Sequence, residues 1–477
     1  MAHDSSVVFS GIPKDAALSK PSRSTVSLIE SIELLIEHLT PALCEAVFRK
    51  VRKTERERKW TFSAIAQFWA AVIVRHPPSI GHGLAEVSKR RREDDLWPHV
   101  MAEPQAFFQK CAALRPKFFQ TLFEDFTASV RPLAKPVYAR WMHDLRRHFP
   151  CVQVIDGSKL DAIRHRLKIL WPIRFPVLPG SLMMTYDLFT GLADQAEFHS
   201  HAHTNERLRA PDLLGRIKPS TLVLGDRLYC LIKSFHELAE VKAYGLFRRN
   251  ALIKFRVLKI LSQVRFERGM CEDLLIEAGR GDKQPKAQLR LIRYRNGKYS
   301  LDLMTNVLDP DKLPAQTAVK LYGMRWTIER MFLDLKKTLK LHCLYASHPN
   351  IVAQQFYAAV IVYNAFRIAQ GRLAASAGLL PEQLSSEKLF PKLAQAFGDF
   401  AFASWQAIRI RELNPGTAIQ FPDLQEMPSA TVRLASIFAQ RRTGLQRPPP
   451  TGGRTSRVRS FGHIRGGAAI LLAASDG

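Results

Sequence analysis

Between Cys151 and Asp226 the chain spells strand, strand, strand, helix and strand in quick succession, and that order leaves few folds open. CVQVID is a short apolar run, and SLMMTYDLF and LADQAEFHSH are two more, separated by the turn residues Thr190 and Gly191. ERLRAPDLLGRIK then has helical spacing, and TLVLGD returns to a buried strand. Strands that lead into a helix and back to a strand build an α/β layer. From Leu246 to Asn306 the texture changes. LIKFRVLKI and LRLIRYRNGKYSLDLMT are rich in β-branched and aromatic residues, and Asn296-Gly297 predicts a type I′ hairpin. This stretch reads as a β-rich insertion.

The flanks read differently. The first ~150 residues have helical apolar spacing: Leu28, Ile32, Leu35 and Leu39 share a face, and Ser27 with Glu30 forms a capping box that would start that helix. After Pro314 one long helix is expected to reach about Leu341, with further helices through Ala374 and beyond. From Arg441 onward seven arginines, three consecutive prolines and several glycines describe a disordered tail. At 477 residues the length favours two or three domains.

Seventy Lys and Arg against 43 Asp and Glu leave a formal charge of +27. An excess of that size calls for a polyanionic partner. A membrane is the weaker choice, because the longest apolar stretch, around Ala64 to Val74, falls far short of the ~20 residues that span a bilayer. The opening MAHDSSVVFSGIPK lacks the basic leader and apolar core of a signal peptide. Six scattered cysteines without a Cys-x-x-Cys pair read as reduced, mostly buried thiols of a cytoplasmic protein. The run RKVRKTERERK, Arg49 to Lys59, and the cluster Lys89 to Arg92 could be solvated helix faces. The overall basicity favours a DNA-contacting helical domain instead.

Two patterns carry chemistry. Tyr322, Arg325, Glu329 and Lys336 are spaced by three, four and seven residues. On an ideal helix they fall within roughly 60° of one another and form a polar stripe ~21 Å long. Ile328, Phe332, Leu335 and Leu339 lie on the neighbouring face and would dock the helix on the sheet. Asp156 is expected to end the strand CVQVI and Asp226 the strand TLVLG. A lone strand-end Asp is usually a turn residue. Two in the same α/β region, joined by a helix-borne carboxylate, can instead share divalent cations, for which hard oxygen ligands suit Mg²⁺ or Mn²⁺.

At these residues the sequence resembles a known family. The stripe Y-x-x-R-x-x-x-E-x-x-x-x-x-x-K, here YGMRWTIERMFLDLK, looks like the signature of bacterial DDE transposases of the insertion-sequence-four family; VIDGSKL and VLGDRLY resemble its two aspartate motifs. The resemblance covers roughly residues 150 to 370. It implies a ribonuclease H-like core of α/β class, interrupted by a β-rich insertion between the second aspartate and the glutamate. It implies cut-and-paste movement of a DNA element, with two Mg²⁺ or Mn²⁺ ions held by Asp156, Asp226 and Glu329. Tyr322, Arg325 and Lys336 would hold phosphates near the cleaved end, and Arg227 is a further candidate phosphate contact. The partners implied are double-stranded DNA, as terminal inverted repeats and target, and a second copy in a synaptic homodimer at the bacterial nucleoid, with no membrane. The expected organisation is a helical DNA-binding region over residues 1–148 and the core over 149–372 with its insertion at about 246–306. A helical region over 373–440 and the basic tail over 441–477 complete it.

Some residues remain open at this stage. Relatives stack a flipped base on a tryptophan in the insertion, whereas none of this chain's seven tryptophans lies between Leu246 and Asn306. Phe247, Phe255, Phe266, Tyr294 and Tyr299 are the aromatic alternatives. Tyr229 could touch phosphate or pack, and Gly323 could permit close approach or be neutral. His199, His201 and His203 would share one strand face, without an evident fourth metal ligand. A simple metal-dependent nuclease, or a catalytically silent DNA-binding protein derived from a transposase, would use the same features for less.

Overall fold

The computed structural model describes residues 38–396, apart from 89–97, 99, 101–102, 135–139, 161–179, 201–205, 280–285, 298 and 380, together with two short strands at 25–27 and 431–433. These strands, β1 (Thr25–Ser27) and β11 (Thr431–Arg433), pair antiparallel. The helix expected from Leu28, the cluster Lys89 to Arg92, His201 and His203, residues 397–430 and the tail from Arg441 lie outside the described residues.

Nine strands form one sheet in the order β4-β3-β2-β5-β6-β10-β9-β8-β7. Its first half comprises β2 (Val152–Lys159), β3 (Ser181–Asp187), β4 (Ala193–His199), β5 (Leu222–Gly225) and β6 (Tyr244–Arg248). β2 pairs antiparallel with β3, and β3 with β4, while β5 runs parallel to both β2 and β6. The strands read as nearly continuous apolar runs because both faces are covered. Val152 and Val154 enter one core, and Ile155 enters the other. The second half, β7 (Phe255–Phe266), β8 (Gly269–Ala278), β9 (Ala287–Asn296) and β10 (Tyr299–Thr305), is the β-rich stretch seen in the sequence. It joins the first half through antiparallel pairing of β10 with β6. The stretch therefore prolongs the central sheet.

Three expectations need correction. Asp156 does not end its strand: β2 runs on to Lys159, because β3 keeps pairing with it from Asp156↔Met184 to Lys159↔Ser181 after β5 stops at Val154↔Leu224. Apolar patterning misses this, since a hairpin partner satisfies polar strand residues equally well. The single helix after Pro314 is instead four windings: α9 (Ala315–Gly323), a 3₁₀ turn (Met324–Trp326), α10 (Thr327–Leu333) and a π turn (Asp334–Thr338). Ile328, Phe332, Leu335 and Leu339 are buried throughout, so the change of winding leaves the apolar pattern untouched. In the β9–β10 hairpin Asn296 pairs with Tyr299, which makes Gly297, at φ +53°, the first loop residue; Asn296-Gly297 is not the central pair.

Helices α1 (Pro41–Val51), α2 (Phe62–Arg75), α3 (Ile80–Ser88), α4 (Pro104–Ala113), α5 (Pro116–Val130) and α6 (His143–His148) precede the sheet. α1 and α2 are capped by the Thr40 and Thr61 hydroxyls, which accept from Leu43 N and Ala64 N. α7 (Glu206–Leu214) and α8 (Ile232–Glu240) follow β4 and β5, and α11 (Pro349–Ser376) comes after the stripe segment. α11 is apolar all round and almost wholly buried between α2, α4 and α5 and the sheet edge at β4. Its few polar groups are paired: Gln354 accepts from Trp69 Nε1 at 3.1 Å and donates to Cys111 O at 2.7 Å, and Asn364 bonds both backbone groups of Ala193. Among the described residues no helix is long and apolar enough to cross a membrane. All six cysteines are free thiols, four of them buried.

The basic run from Arg49 leaves the helix early, since α1 ends at Val51. Its glutamates serve the fold. Glu55 accepts from Arg115 Nε at 2.6 Å, which holds its carboxyl down at about 2, and Glu57 accepts from Phe62 N. The cations of Arg49, Lys50, Arg52, Lys53, Arg56, Arg58 and Lys59 are all exposed.

One buried pair ties the second half of the sheet to the segment that leads into α9. Arg290 in β9 and Asp273 in β8 are fully buried, and Arg290 Nε donates to Asp273 Oδ1 at 3.1 Å. Arg290 Nη1 also donates to the carbonyls of Val307, Asp309 and Leu313, which lead into α9. Arg290→Ala would leave a buried carboxylate and three carbonyls without their donor. It is expected to cost about 3–5 kcal/mol in urea unfolding. Arg290→Lys should recover only part of that loss, because an ammonium lacks the planar fork. A wild-type unfolding midpoint for Arg290→Ala would mean that the pair does not hold this junction.

Candidate active site

Asp156 and Ser158 project from β2 on the side where α10 packs, two residues apart and so on one face. Asp156 Oδ1 accepts from Gly157 N at 2.9 Å. Asp226 directly follows β5, and its Oδ1 accepts from Leu228 N at 2.6 Å, an Asx-turn that fixes the side chain. The two aspartates border a flank of β2 that β5 no longer covers.

Arg325 joins the strand to the helix. Its guanidinium lies 3.3 Å from Asp156 Oδ2 and 2.9 Å from Glu329 Oε1. Lys336 Nζ donates to Ser158 Oγ at 2.6 Å, and burial pulls its ammonium below the usual lysine range. Tyr322 is half-buried, and its phenol is pushed up to about 12 by burial; Arg325 and Arg248 oppose that rise and Asp226 adds to it. The four stripe residues thus lie along β2 and Asp226 despite the irregular winding. Arg227 is exposed beside Asp226. Gly323 ends α9, and a Cβ there would meet nothing within 4 Å, so no contact within the described residues requires a glycine. His199 pairs with Glu197 at 3.5 Å.

Burial pushes Asp156 up to about 7, with Arg325 and the Gly157 N–H opposing and Asp226 and Glu206 reinforcing. Among the described residues no three His, Cys, Asp or Glu side chains gather closely enough to hold a metal ion as they stand. Arg325 lies between Asp156 and Glu329 and neutralises both. The donor set, three carboxylates with hard oxygens, fits Mg²⁺ or Mn²⁺ in chemistry. Its spacing is that of a site closed around an arginine.

Two neighbours escaped the sequence reading. Ser158 had a signal, since position i+2 on a strand shares the face of Asp156. Glu206, at the start of α7, had none: its carboxylate lies against Gly157. Tyr229, left open above, is buried, and its hydroxyl has no hydrogen-bond partner among the described residues.

Residues 174–365 match the family model described as the transposase DDE domain. Over that span the chain is similar to a transposase DDE domain. The match takes in Asp226 and the whole stripe from Tyr322 to Lys336, and it begins after Asp156. DDE domains generally use divalent metal ions. Over 158 residues the chain is 27% identical to a Sinorhizobium fredii protein named "Putative transposase y4zB", covering 32% of this chain and 44% of that protein. Over 114 residues it is 25% identical to a Synechocystis protein named "Putative transposase for insertion sequence element IS4SA", covering 23% of this chain and 32% of that one. The chain therefore spans less than half the length of these curated relatives. Its mixed α/β sheet with flanking helices agrees with a DDE domain.

The raised Asp156 has a stability consequence. Its folded pKa of about 7 exceeds the ordinary carboxyl value of 3.8, so the folded state binds the proton more tightly. That contribution is full below about pH 4 and is lost as pH rises through 7. Asp156→Asn, neutral at every pH, should remove this part of the pH dependence. At pH 8 in chelator it is expected to melt at or above the wild-type temperature. A parallel pH–melting curve for the variant would show that Asp156 does not titrate in this range.

Proposed function

We propose that the chain is a transposase that cleaves DNA at the ends of an insertion sequence and joins those ends to a target by metal-dependent chemistry. The observation that carries this reading is the assembly of Asp156, Asp226, Glu329 and Arg325 around one uncovered strand flank, with the last three inside the span that matches a DDE domain. The sheet order supports a ribonuclease H-like core. Three antiparallel strands, β4, β3 and β2, are followed by two parallel ones, β5 and β6, with the β-rich stretch inserted before the glutamate helix.

In this reading Asp156, Asp226 and Glu329 hold two Mg²⁺ or Mn²⁺ ions. When bound, these lower the pKa of a water or 3′ hydroxyl and steady the leaving oxygen. The residues of the chain do the rest. Arg325, whose guanidinium bridges Asp156 and Glu329, would offer its donors to phosphate. Lys336 and Tyr322 add further donors on the same face, where charge develops in the transition state, and Arg227 offers an exposed contact beside Asp226.

The organisation proposed is the one expected above: a helical DNA-binding region up to 148, the core over 149–372, a helical region over 373–440 and a basic tail. The exposed cations from Arg49 to Lys59 would neutralise phosphates of the element ends, and two copies would bring both ends together at the nucleoid. For a flipped base, Phe255 is the favoured platform. Phe247 and Tyr294 are buried, and Phe266 and Tyr299 pack on Tyr294, whereas the Phe255 ring carries Arg249 at 4.9 Å and Arg293 at 5.8 Å.

The test uses purified protein, a terminal-repeat duplex and Mg²⁺. Wild type should nick the duplex and join its 3′ ends to a second DNA, while Asp226→Asn binds the duplex normally and does neither. Cleavage without joining would reduce the protein to a nuclease. Binding without cleavage by wild type would make it a silent DNA-binding derivative. In the same reactions, denaturing gels should show hairpin-length products that vanish with Phe255→Ala; open 3′ ends alone would remove the stacking role.

A further inference from the structure

The cations of the stripe are already engaged inside the protein. Arg325 Nη1 lies 3.3 Å from Asp156 Oδ2, and its Nη2 lies 2.9 Å from Glu329 Oε1. A guanidinium fork that holds two anionic oxygens is also the arrangement by which an arginine takes a phosphate. Here the strand supplies one oxygen and α10 supplies the other. Lys336 is engaged as well, since its Nζ donates to Ser158 Oγ at 2.6 Å on the same strand.

These contacts lie within reach of a ligand. The side chains are 18% exposed at Arg325, 23% at Asp156 and 29% at Glu329, so the fork is neither sealed in the core nor freely solvated. Partial burial makes such pairs stronger than ordinary surface pairs. A phosphate arriving at Arg325 would find its donors taken, and would be repelled by the carboxylates that take them. Asp226 offers an internal comparison. It borders the same flank of β2, but its Oδ1 accepts from Leu228 N at 2.6 Å, and among the described residues Arg325 forms its ion pairs with Asp156 and Glu329.

We propose that Asp156 and Glu329 are internal stand-ins for a DNA phosphate, which occupy Arg325 in the free protein until a phosphate diester replaces them. The inference rests on the transposase reading above and adds a competition to it. DNA gains the Arg325 contact only by displacing one that the protein already makes, so the two carboxylates lower the affinity of the free chain for its substrate.

The experiment measures binding of a terminal-repeat duplex to the full chain in chelator. Wild type, Asp156→Asn, Glu329→Gln and Asp226→Asn are compared, with the melting of each protein as the fold control. Asp156→Asn and Glu329→Gln should each bind about 3- to 10-fold more tightly than wild type, because each releases one arm of the fork. Asp226→Asn removes the same charge from the same flank without touching the fork, and should bind like wild type. Glu329→Gln combined with Arg325→Gln should lose the gain, since no fork remains to be released. One single variant lies on the strand and one on the helix, so the test survives if either melts too low to assay. Equal gains at Asp156, Glu329 and Asp226, or a gain that persists without Arg325, would reduce the effect to general repulsion and overturn the inference. Unchanged affinity in both variants would overturn it too, leaving the transposase reading to the cutting and joining of wild type in Mg²⁺. If wild type binds no duplex at all, both fail.

Discussion

Gathering carboxylates at one point of a protein is unfavourable, and the arrangement around β2 depends on how that repulsion is met. Arg325 meets it. One guanidinium spans a carboxylate on the strand and a carboxylate on the helix, so the same contact neutralises charge and docks α10 on the sheet. It explains why Asp156 and Glu329 can face each other with burial raising the cost of ionisation at Asp156. In the reading proposed above, a divalent ion and this tethered cation would be alternatives at one position, and the arginine would hold strand and helix together until an ion took its place.

The frame around this contact is unusually continuous. The β-rich stretch extends the central sheet, and Arg290 uses the buried end of that extension to fix the carbonyls that lead into α9. The stripe helix is therefore held at one end by the far half of the sheet and along its length by Arg325 and Lys336 on β2. α11 links the amino-terminal helices to β4 through paired buried amides.

Much of this was legible in the sequence, for physical reasons. Strands buried on both faces announce themselves as apolar runs, which placed β2 to β5 and the aspartate of β5. The stripe from Tyr322 to Lys336 was legible because side chains three, four and seven apart meet on one helix face. Other features left no trace. A polar residue inside a strand looks like a strand end, which misplaced Asp156. Changes of helical winding keep the buried positions apolar, so the 3₁₀ and π turns were silent. Glu206 is invisible for a different reason: its place against Gly157 comes from packing α7 on the sheet, a contact between residues far apart in the chain.

The irregular winding between Tyr322 and Lys336 bears on how this segment can change over generations. A 3₁₀ turn advances each residue further around the axis than an α-helix does, and a π turn advances it less. Here the overwound stretch Met324–Trp326 precedes the underwound stretch Asp334–Thr338, and their angular errors oppose each other. The two deviations form a compensated pair, and together they return Lys336 to the strand face that Arg325 already occupies. Loops elsewhere in the chain can gain or lose residues at little cost, whereas a single insertion here would uncouple the pair and swing one end of the stripe away from β2. A change of length in this segment is expected to cost more than a substitution.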